Sequence, residues 1–272
     1  EYRAVTARLY GGDRLMRIRQ EILLGIGGLR ALQALGLEPA VCHMNQGHAA
    51  LLAVELYKNA CSRDAEEVRK KCVFTTHTPV AAGHDRFDES LFDQVIGGKD
   101  YVPQEVYQHI IEDGKVNMTL LGLHLSGHVN GVAKRHGEVS KHMFPGHHID
   151  AITNGIHHLT WASPPFTELF DRHLPDWRKD PYTFRNALSI KSEELEETKQ
   201  QAKRRLVDEV NRRTNAGFDH RRFTIGFARR FTAYKRPDLL LMDVERLKGV
   251  AQRVGDIQVV FAGKAHKQDH QG

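Results

Sequence analysis

Four cations lie within eight residues at positions 229–236, where the chain reads RRFTAYKR. They follow an apolar run at 223–228 that is typical of a short strand, and Pro237 after them predicts a helix with proline at its first position. The end of a strand at a helix start can bind an anion, because unpaired helix N–H groups and guanidinium groups converge there. The segment therefore predicts an anion-binding site, and a solvated basic surface is the alternative interpretation.

Polar side chains also follow the predicted strands in the first half of the chain. Ligands of parallel α/β sheets bind outside the carboxyl ends of the strands, so these positions are candidates for a shared ligand site. The plainer alternatives are a loop histidine bonded to the backbone at His77 and a simple turn at 154–155. The full set is His43, Asn45, His48, Thr75, Thr76, His77, Asn154 and Gly155.

Composition narrows the class of protein. The chain has 272 residues, of which 40% are hydrophobic and 27% are charged, as in ordinary globular proteins. Its net charge of +5 is compatible with an anionic ligand without requiring one. No apolar run approaches the ~20 residues that span a bilayer, and no signal peptide is visible, so we expect no membrane association.

Cysteine and histidine spacing argues against metal or disulfide chemistry. The three cysteines are odd in number and lack CxxC spacing, which favours a reducing, cytoplasmic location. His43 and His48 lie five residues apart across a turn, and the other close histidines are direct neighbours at 147–148 and 157–158. Such spacing is poor for a metal, and we predict no metal site.

Hydrophobic periodicity predicts an α/β protein. Apolar residues recur at three- and four-residue spacing over 14–35, which predicts a helix that ends at Gly36. Strands alternating with helices favour a largely parallel sheet. The predicted strands lie within 39–56, 70–80, 128–132, 149–158, 223–228 and 257–262, and a long charged helix covers 191–215.

The same patterns predict two α/β lobes. Composition changes after Trp161, where a stretch rich in proline and aromatic residues begins, and a new strand–helix–strand pattern starts at Phe223. We therefore predict a first lobe at 1–160, a linker with crossover helices at 161–222 and a second lobe at 223–272. The chain starts without methionine and stops just after a buried-strand pattern, so we expect it to be an internal piece of a longer protein.

Seven segments in order resemble motifs of the α-glucan (glycogen, starch or maltodextrin) phosphorylases. They are RLYGGDRLMRIRQE, HMNQGHAAL, FTTHTPVAAGHDRF, HVNGVAKRHGEVSK, TNGIHHLTW, FARRFTAYKRP and FAGKAH. The resemblance runs nearly end to end and is strongest to the compact bacterial and archaeal branch.

The resemblance implies a glycosyltransferase B-type architecture, with two Rossmann-like lobes that are both incomplete here. The first would be the glucan-side lobe, and the second would bind phosphate and pyridoxal phosphate (PLP). The implied reaction is reversible transfer of a terminal glucosyl unit to inorganic phosphate, giving glucose 1-phosphate.

The resemblance also implies roles for particular residues. His77 would contact the glucosyl unit, and Arg230 and Lys235 would hold the substrate phosphate, these three being the catalytic residues. Arg229 would lie near the phosphate of the PLP cofactor. The implied substrate-binding residues on the sugar side are Asp13, Asn45, His48, Thr78 and Asn154.

Three features depart from the family pattern. Gln46 stands where the family usually has a carboxylate, and Arg229 is a lysine in much of the family, which changes geometry more than charge. The PLP-bearing lysine, in a glycine-rich motif similar to GTGNMK, does not occur in this chain. We therefore expect the chain alone to be inactive.

Two other functions fit parts of the sequence. A nucleotide-sugar glycosyltransferase of the same two-lobe plan would use the basic residues to hold a diphosphate, and a nucleic-acid-binding module would use the basic stretch 203–236. Aromatic residues are not interleaved there as stacking platforms, so we predict no nucleic-acid partner. The expected partners are an α-glucan and inorganic phosphate, and the resemblance implies a homo-oligomeric parent protein.

Overall fold

The computed structural model describes residues 2–7, 12–97, 101–265 and 269–272. The chain divides into two compact units, unit 1 (Glu1–Asn154) and unit 2 (Gly155–Gly272). Tyr10 and Gly11 of the YGGD loop, and His266 of the last motif, lie outside the described residues. Within the described ranges, no helix is both long and apolar enough to cross a membrane.

Unit 1 alternates strands and helices, as the sequence predicts. Its strands are β1 (Cys42–Asn45), β2 (Cys72–Thr76), β3 (Arg86–Asp88), β4 (Ile111–Glu112), β5 (Lys115–Asn117), β6 (His128–Gly131) and β7 (Asp150–Ala151). Its α-helices are α1 (Arg14–Ile22), α2 (Gly28–Ala34), α3 (Leu51–Asn59), α4 (Ala65–Lys71), α5 (Glu89–Ile96), α6 (Gln104–Tyr107), α7 (Met118–His124) and α8 (Lys134–Met143).

Four described strands of unit 1 form a parallel sheet in the order β1-β2-β6-β7, which confirms the predicted α/β class and parallel sheet. The register pairs Asn45 with Thr75 and Thr76 with Gly131, so the carboxyl ends of the strands meet at one edge. Met44 and Phe74 are fully buried in the core beneath this sheet. Strands β3, β5 and β4 form a separate antiparallel sheet within the described part of unit 1.

The predicted helix over 14–35 is confirmed, but one turn of it is wider than an α-helix. Helices α1 and α2 are joined by a π-helical turn at Leu23–Gly27. Gly36 ends the helix in the left-handed region, at φ +70°, and the N–H of Leu37 donates to the carbonyl of Leu32. This is the glycine cap that the sequence predicts.

Unit 2 has a small core of its own and a parallel strand pair. Leu169, Leu174, Trp177 and Ile190 form its buried cluster. The described elements are α9 (His158–Trp161), α10 (Pro164–His173), α11 (Ser192–Thr214), β8 (Phe223–Ala228), α12 (Val244–Val254) and β9 (Ile257–Ala262). The long charged helix and the strands at 223–228 and 257–262 are thereby confirmed, and β8 pairs with β9 in parallel.

The helix predicted to begin at Pro237 is wrong. Arg236 adopts the left-handed conformation before the proline, and the chain then turns through Leu239–Leu241 before α12 begins at Val244. The carboxylate of Asp243 accepts a hydrogen bond from the backbone N–H of Arg246, which satisfies a donor of the first helical turn. The side-chain cap at Asp243, six residues after Pro237, therefore sets the start of this helix.

Candidate functional site

The carboxyl edge of the parallel sheet gathers most of the residues assigned to the sugar side. Asn45 ends β1, and His77 and Thr78 directly follow β2, the neighbouring strand. Asn154 lies three residues beyond β7, where its N–H donates to the carbonyl of Val132 at 3.0 Å. Since neighbouring strands lie about 4.8 Å apart, β2 and β7 are separated by roughly 10 Å. A ligand the size of a sugar ring can bridge that distance.

Strand β2 is linked to its two neighbouring strands by polar side chains just before the exposed residues that follow it. The hydroxyl of Thr75 donates to Asn130 Oδ1 at 2.9 Å and accepts from His43 Nε2 at 2.7 Å. The side chain of His77 itself is exposed, and desolvation lowers its pKa, with a smaller effect from the imidazole of His136. The lowered pKa favours the neutral imidazole, which can both donate and accept a hydrogen bond.

Gln46, directly after β1, bridges the two ends of the 77–84 segment. It is 4% exposed, and its backbone adopts φ 67° and ψ 171°. Its Oε1 accepts from the backbone N–H of His77 at 2.7 Å, while its Nε2 lies 3.2 Å from Nδ1 of His84. Nε2 of His84 in turn lies 3.0 Å from the carbonyl oxygen of Thr78. The sequence alone indicates only that position 46 is an amide where the family usually has a carboxylate.

His48 belongs to a charged cluster with Arg17, Asp85 and Glu21. Arg17 Nη2 donates to Asp85 Oδ2 at 2.7 Å, and His48 Nδ1 lies 3.0 Å from the same oxygen. Burial alone would raise the pKa of Asp85, but hydrogen bonds from His48 and Arg17 hold it well below its usual range. Arg17 and Glu21 are four residues apart on α1, a spacing visible in the sequence that could have indicated this cluster.

Three side chains of this cluster are the possible metal ligands that lie close together among the described residues. Ligand atoms of Glu21, His48 and Asp85 lie within 4.8 Å of one another. The guanidinium of Arg17, however, contacts both His48 and Asp85 and supplies the positive charge at this position. Arg17 therefore neutralises the acidic groups here, and we assign no metal to the cluster.

Asp13 has a structural task at the start of α1. Its carboxylate accepts a hydrogen bond from the backbone N–H of Met16 at 2.8 Å, which makes Asp13 the N-cap of the helix. The side chain is also exposed. One carboxylate oxygen is thus committed to the helix, and the other is available for the predicted position at the border of the sugar.

The cations of unit 2 follow β8. Arg229 and Arg230 are exposed, and neither side chain has a hydrogen-bond or ion-pair partner among the described residues. Lys235 lies in the following short turn, with Nζ 4.6 Å from the centre of the Tyr234 ring. Arg229 and Lys235 also line a cavity of about 620 Å³, together with the charged residues Arg236, Asp243 and Arg246. Its other walls are apolar side chains of β8, β9, α12 and the turn at 237–242. This arrangement presents positive charge to an anion at the carboxyl end of a strand.

Unit 1 belongs to the α/β class. Its candidate polar residues lie at the carboxyl edge of the parallel sheet, which is where α/β proteins bind their ligands. Residues 99–271 match the family model described as carbohydrate phosphorylase. The chain therefore belongs to the carbohydrate phosphorylase family.

Similar proteins carry consistent names. The chain is 34% identical to a maltodextrin phosphorylase of Thermococcus litoralis, over 99% of the chain and 37% of that protein. It is 35% identical to a glycogen phosphorylase of Mycobacterium tuberculosis, over 100% of the chain and 38% of that protein. It is 32% identical to a glycogen phosphorylase of Aquifex aeolicus, over 99% of the chain and 45% of that protein. The chain thus spans less than half the length of these relatives.

Proposed function

We propose that this chain is part of the catalytic machinery of an α-1,4-glucan phosphorylase, which reversibly transfers the terminal glucosyl unit of an α-glucan to inorganic phosphate. The observation that carries this proposal is the pair of exposed cations after β8, Arg229 and Arg230, without a partner among the described residues. Unpaired guanidinium groups at a strand end favour a phosphate ligand. Membership of the carbohydrate phosphorylase family favours the same reaction.

The fold supports a two-lobe architecture of glycosyltransferase B type. Unit 1 contains a parallel sheet with flanking helices, and unit 2 contains the parallel pair β8–β9 with α12 between its strands. We assign unit 1 to the glucan side and the strands of unit 2 to the phosphate side. The relatives named above are consistent with α-glucan and phosphate as the partners.

On the sugar side, His77 and Asn154 are proposed to bind the terminal glucosyl unit. Both lie beyond strands of one parallel sheet, so both can face a common ligand. Asn45, Thr78 and His48 lie along the same edge or directly after it and are assigned to the glucan. Amide, hydroxyl and imidazole groups match the hydroxyl groups of a sugar as donors and acceptors.

PLP is the proposed cofactor, and Arg229 would hold its phosphate. The residues present fit a phosphate-bearing group, because Arg229 and Lys235 are two of the four cations that line one cavity. When bound, the cofactor phosphate supplies a proton donor and acceptor next to the substrate phosphate. Arg230 and Lys235 would reduce the repulsion between the two phosphates and orient the nucleophile toward the anomeric carbon.

The alternative of a nucleotide-sugar glycosyltransferase is not favoured, because the family match and the three relatives named above carry phosphorylase names. We place the protein in the cytoplasm, since its cysteines are all free thiols. We also propose that the full-length gene product forms a homo-oligomer.

Replacing Arg230 tests the proposed phosphate site. In the full-length gene product, Arg230→Ala should lower kcat/KM for phosphate by roughly 30- to 1,000-fold, which corresponds to about 2–4 kcal/mol for a lost charge-assisted contact. The KM for maltodextrin should change much less. The measurement is the initial rate of glucose 1-phosphate release, with phosphate and maltodextrin varied separately.

Arg221→Ala is the matched control. It removes the same charge from an exposed position just before the other end of β8. This variant should retain the kinetic constants of the unmodified protein. A loss of glucan affinity with unchanged phosphate affinity in Arg230→Ala would refute the assigned role. Equal losses of kcat/KM for phosphate in Arg230→Ala and Arg221→Ala would show that the effect comes from net charge alone.

A further inference from the structure

Gln46 has a backbone conformation that side chains rarely adopt. Its φ of 67° and ψ of 171° lie in a region populated almost only by glycine. The residue is nevertheless glutamine, and only 4% of its surface is exposed. Such strain persists when the surroundings hold the residue in place, and it is concentrated at functional sites. The contacts of its side chain therefore indicate what the strained conformation achieves.

The oxygen and the nitrogen of the Gln46 side-chain amide both contact the 77–84 segment. Oε1 accepts from the N–H of His77 at 2.7 Å, at the start of the segment. Nε2 faces the carbonyl of Gly83 at 3.4 Å and Nδ1 of His84 at 3.2 Å, at the end of the segment. Because the N–H of His77 can only donate and the carbonyl of Gly83 can only accept, these partners fix the orientation of the amide.

The imidazole of His84 links Gln46 to the backbone of Thr78. The carbonyl of Thr78 can only accept, so the hydrogen bond of 3.0 Å to His84 requires a proton on Nε2. In the neutral ring, Nδ1 then carries a lone pair, which can accept from Gln46 and from the hydroxyl of Thr119 at 2.9 Å. Burial lowers the pKa of His84 and so favours this neutral ring.

Close packing adds to these hydrogen bonds. A Cβ atom placed on Gly83 would lie 2.1 Å from Cγ2 of Thr78, so the two ends of the segment approach each other as closely as glycine permits. The ring of Phe144 packs edge-on against His84, with centroids 5.2 Å apart. The titratable groups that face His84 are its neighbours Asp85 and Arg86 and, from α8, His136.

We propose that Gln46 and His84 form a positioning bridge that sets the backbone of His77 and Thr78 for the terminal sugar, and that a neutral amide at position 46 is required for it. The sugar contact of His77 itself rests on the proposed function. A carboxylate at position 46 would keep the bond to His77 N–H but would direct its second oxygen at two acceptors, the carbonyl of Gly83 and Nδ1 of His84. One added proton, on the carboxylate or on Nδ1, would restore the match.

The main test is Gln46→Glu, which keeps the length of the side chain. The pKa of the His84 imidazole should rise by about one unit or more, measured by nuclear magnetic resonance with labelled histidine in the 272-residue chain. In the full-length gene product, kcat/KM for maltodextrin should fall by about tenfold or more at pH 8 and recover toward pH 6. The KM for phosphate should stay unchanged.

Gln94→Glu is the matched control, since it adds the same charge at an exposed position of α5 in unit 1. It should leave the pKa of His84 and the pH profile unchanged. A second variant, Gln46→Gly, relieves the backbone strain while removing the amide. It should fold, but the amide of His77 should exchange with solvent about tenfold faster by hydrogen exchange.

The outcomes separate the two proposals. An unchanged pKa of His84 in Gln46→Glu together with unchanged exchange at His77 in Gln46→Gly would refute the bridge. Altered resonance and exchange with normal maltodextrin kinetics would refute its positioning role. A full-length gene product without any phosphorolysis would refute the proposed function, while the measurements on His84 and His77 would still decide whether the bridge exists.

Discussion

Glu21 is a carboxylic acid buried beside a second carboxylate. It is 1% exposed, and burial raises its pKa well above the usual 4.5, with a further contribution from nearby Asp85. Arg17 lies 3.4 Å from Glu21 and donates to Asp85, whose pKa is lowered. We therefore assign opposite pKa shifts to two neighbouring carboxylates: the pKa of Asp85, which pairs with Arg17, is lowered, and that of the buried Glu21 is raised.

This assignment predicts how Glu21→Gln changes stability with pH. A folded-state pKa above the unfolded one means that the folded state binds more protons, so the unmodified protein loses stability as pH rises above 4.5. The variant has no such group. Its free energy of unfolding relative to the unmodified chain should therefore rise with pH, by at most about 1.4 kcal/mol per pH unit. Urea denaturation at several pH values measures this difference.

The control for Glu21→Gln is Glu138→Gln, the same change at an exposed position of α8. Its stability difference should show no comparable increase with pH. If Glu21→Gln instead became less stable relative to the unmodified chain as pH rose, Glu21 would be ionised in the folded protein and the assignment would be wrong.

Residue types alone predicted part of the candidate site. Asn45, His77 and Asn154 were identified because polar residues after strands of a parallel sheet share one edge, and the structure has that sheet. The role of Gln46 was not predictable in this way. Its partner His84 is 38 residues away, and no sequence pattern reveals a positive φ at a glutamine. Contacts between loops distant in sequence are the part of a site that local patterns do not encode.

At the scale of elements, the π-helical turn between α1 and α2 has a close packing neighbour. A Cβ atom on Gly25 would lie 2.8 Å from the backbone nitrogen of Leu52 and 3.1 Å from Leu51, so the turn rests directly on the start of α3. Gly28 lies only three residues further along, and a Cβ atom there would meet nothing within 4 Å. The two glycines therefore have different reasons to be present.

The pair Gly25→Ala and Gly28→Ala tests this packing. Gly25→Ala should lower the free energy of unfolding by about 1–3 kcal/mol, because backbone must shift to admit the methyl group. Gly28→Ala should raise it by about 0.5–1 kcal/mol, because Gly28 has helical φ and alanine reduces the entropy of the unfolded chain. Chemical denaturation of the two variants gives both values, and equal effects would show that the turn does not rest on α3.

The two longest helical segments were predictable from local sequence. The helix before Gly36 has periodic apolar positions and a glycine at its end, and the helix at 192–214 lies in a highly charged stretch without glycine or proline. The π-helical turn was not predictable, since its Gly25 packs against α3, a helix distant from it in the sequence. The start of α12 differs from the prediction because the side chain of Asp243 caps the helix, whereas Pro237 lies in the turn before it.

At the scale of the whole molecule, the two units have unequal cores. The core cluster of unit 1 includes fully buried residues from the parallel sheet and its helices, such as Met44, Phe74 and Leu121. The buried cluster of unit 2 is far smaller, and Phe223, Phe261, Val244 and Val254 of its strands and α12 are exposed. Since buried apolar area is the main source of stability, unit 2 should be the less stable of the two.

The chain carries separate reporters for the two units. Both tryptophans lie in unit 2, and Trp177 is 1% exposed, so tryptophan fluorescence follows the unfolding of that unit. Cys42 and Cys72 are buried in unit 1, whereas Cys61 is exposed. Burial raises the pKa of Cys72 to about 12, which suppresses its reaction as a thiolate until unit 1 opens.

These reporters predict two unfolding transitions in the chain. In Cys61→Ser, which leaves the two buried thiols of unit 1, tryptophan fluorescence should change at a lower urea concentration than thiol labelling. A stability difference of a few kcal/mol and an m-value of about 1–3 kcal/mol per M place the two midpoints about 1 M or more apart. The unmodified chain, in which Cys61 reacts at once, should show the same fluorescence midpoint. Coincident curves would mean that the chain unfolds as one cooperative unit, and the smaller core of unit 2 would then not set its stability.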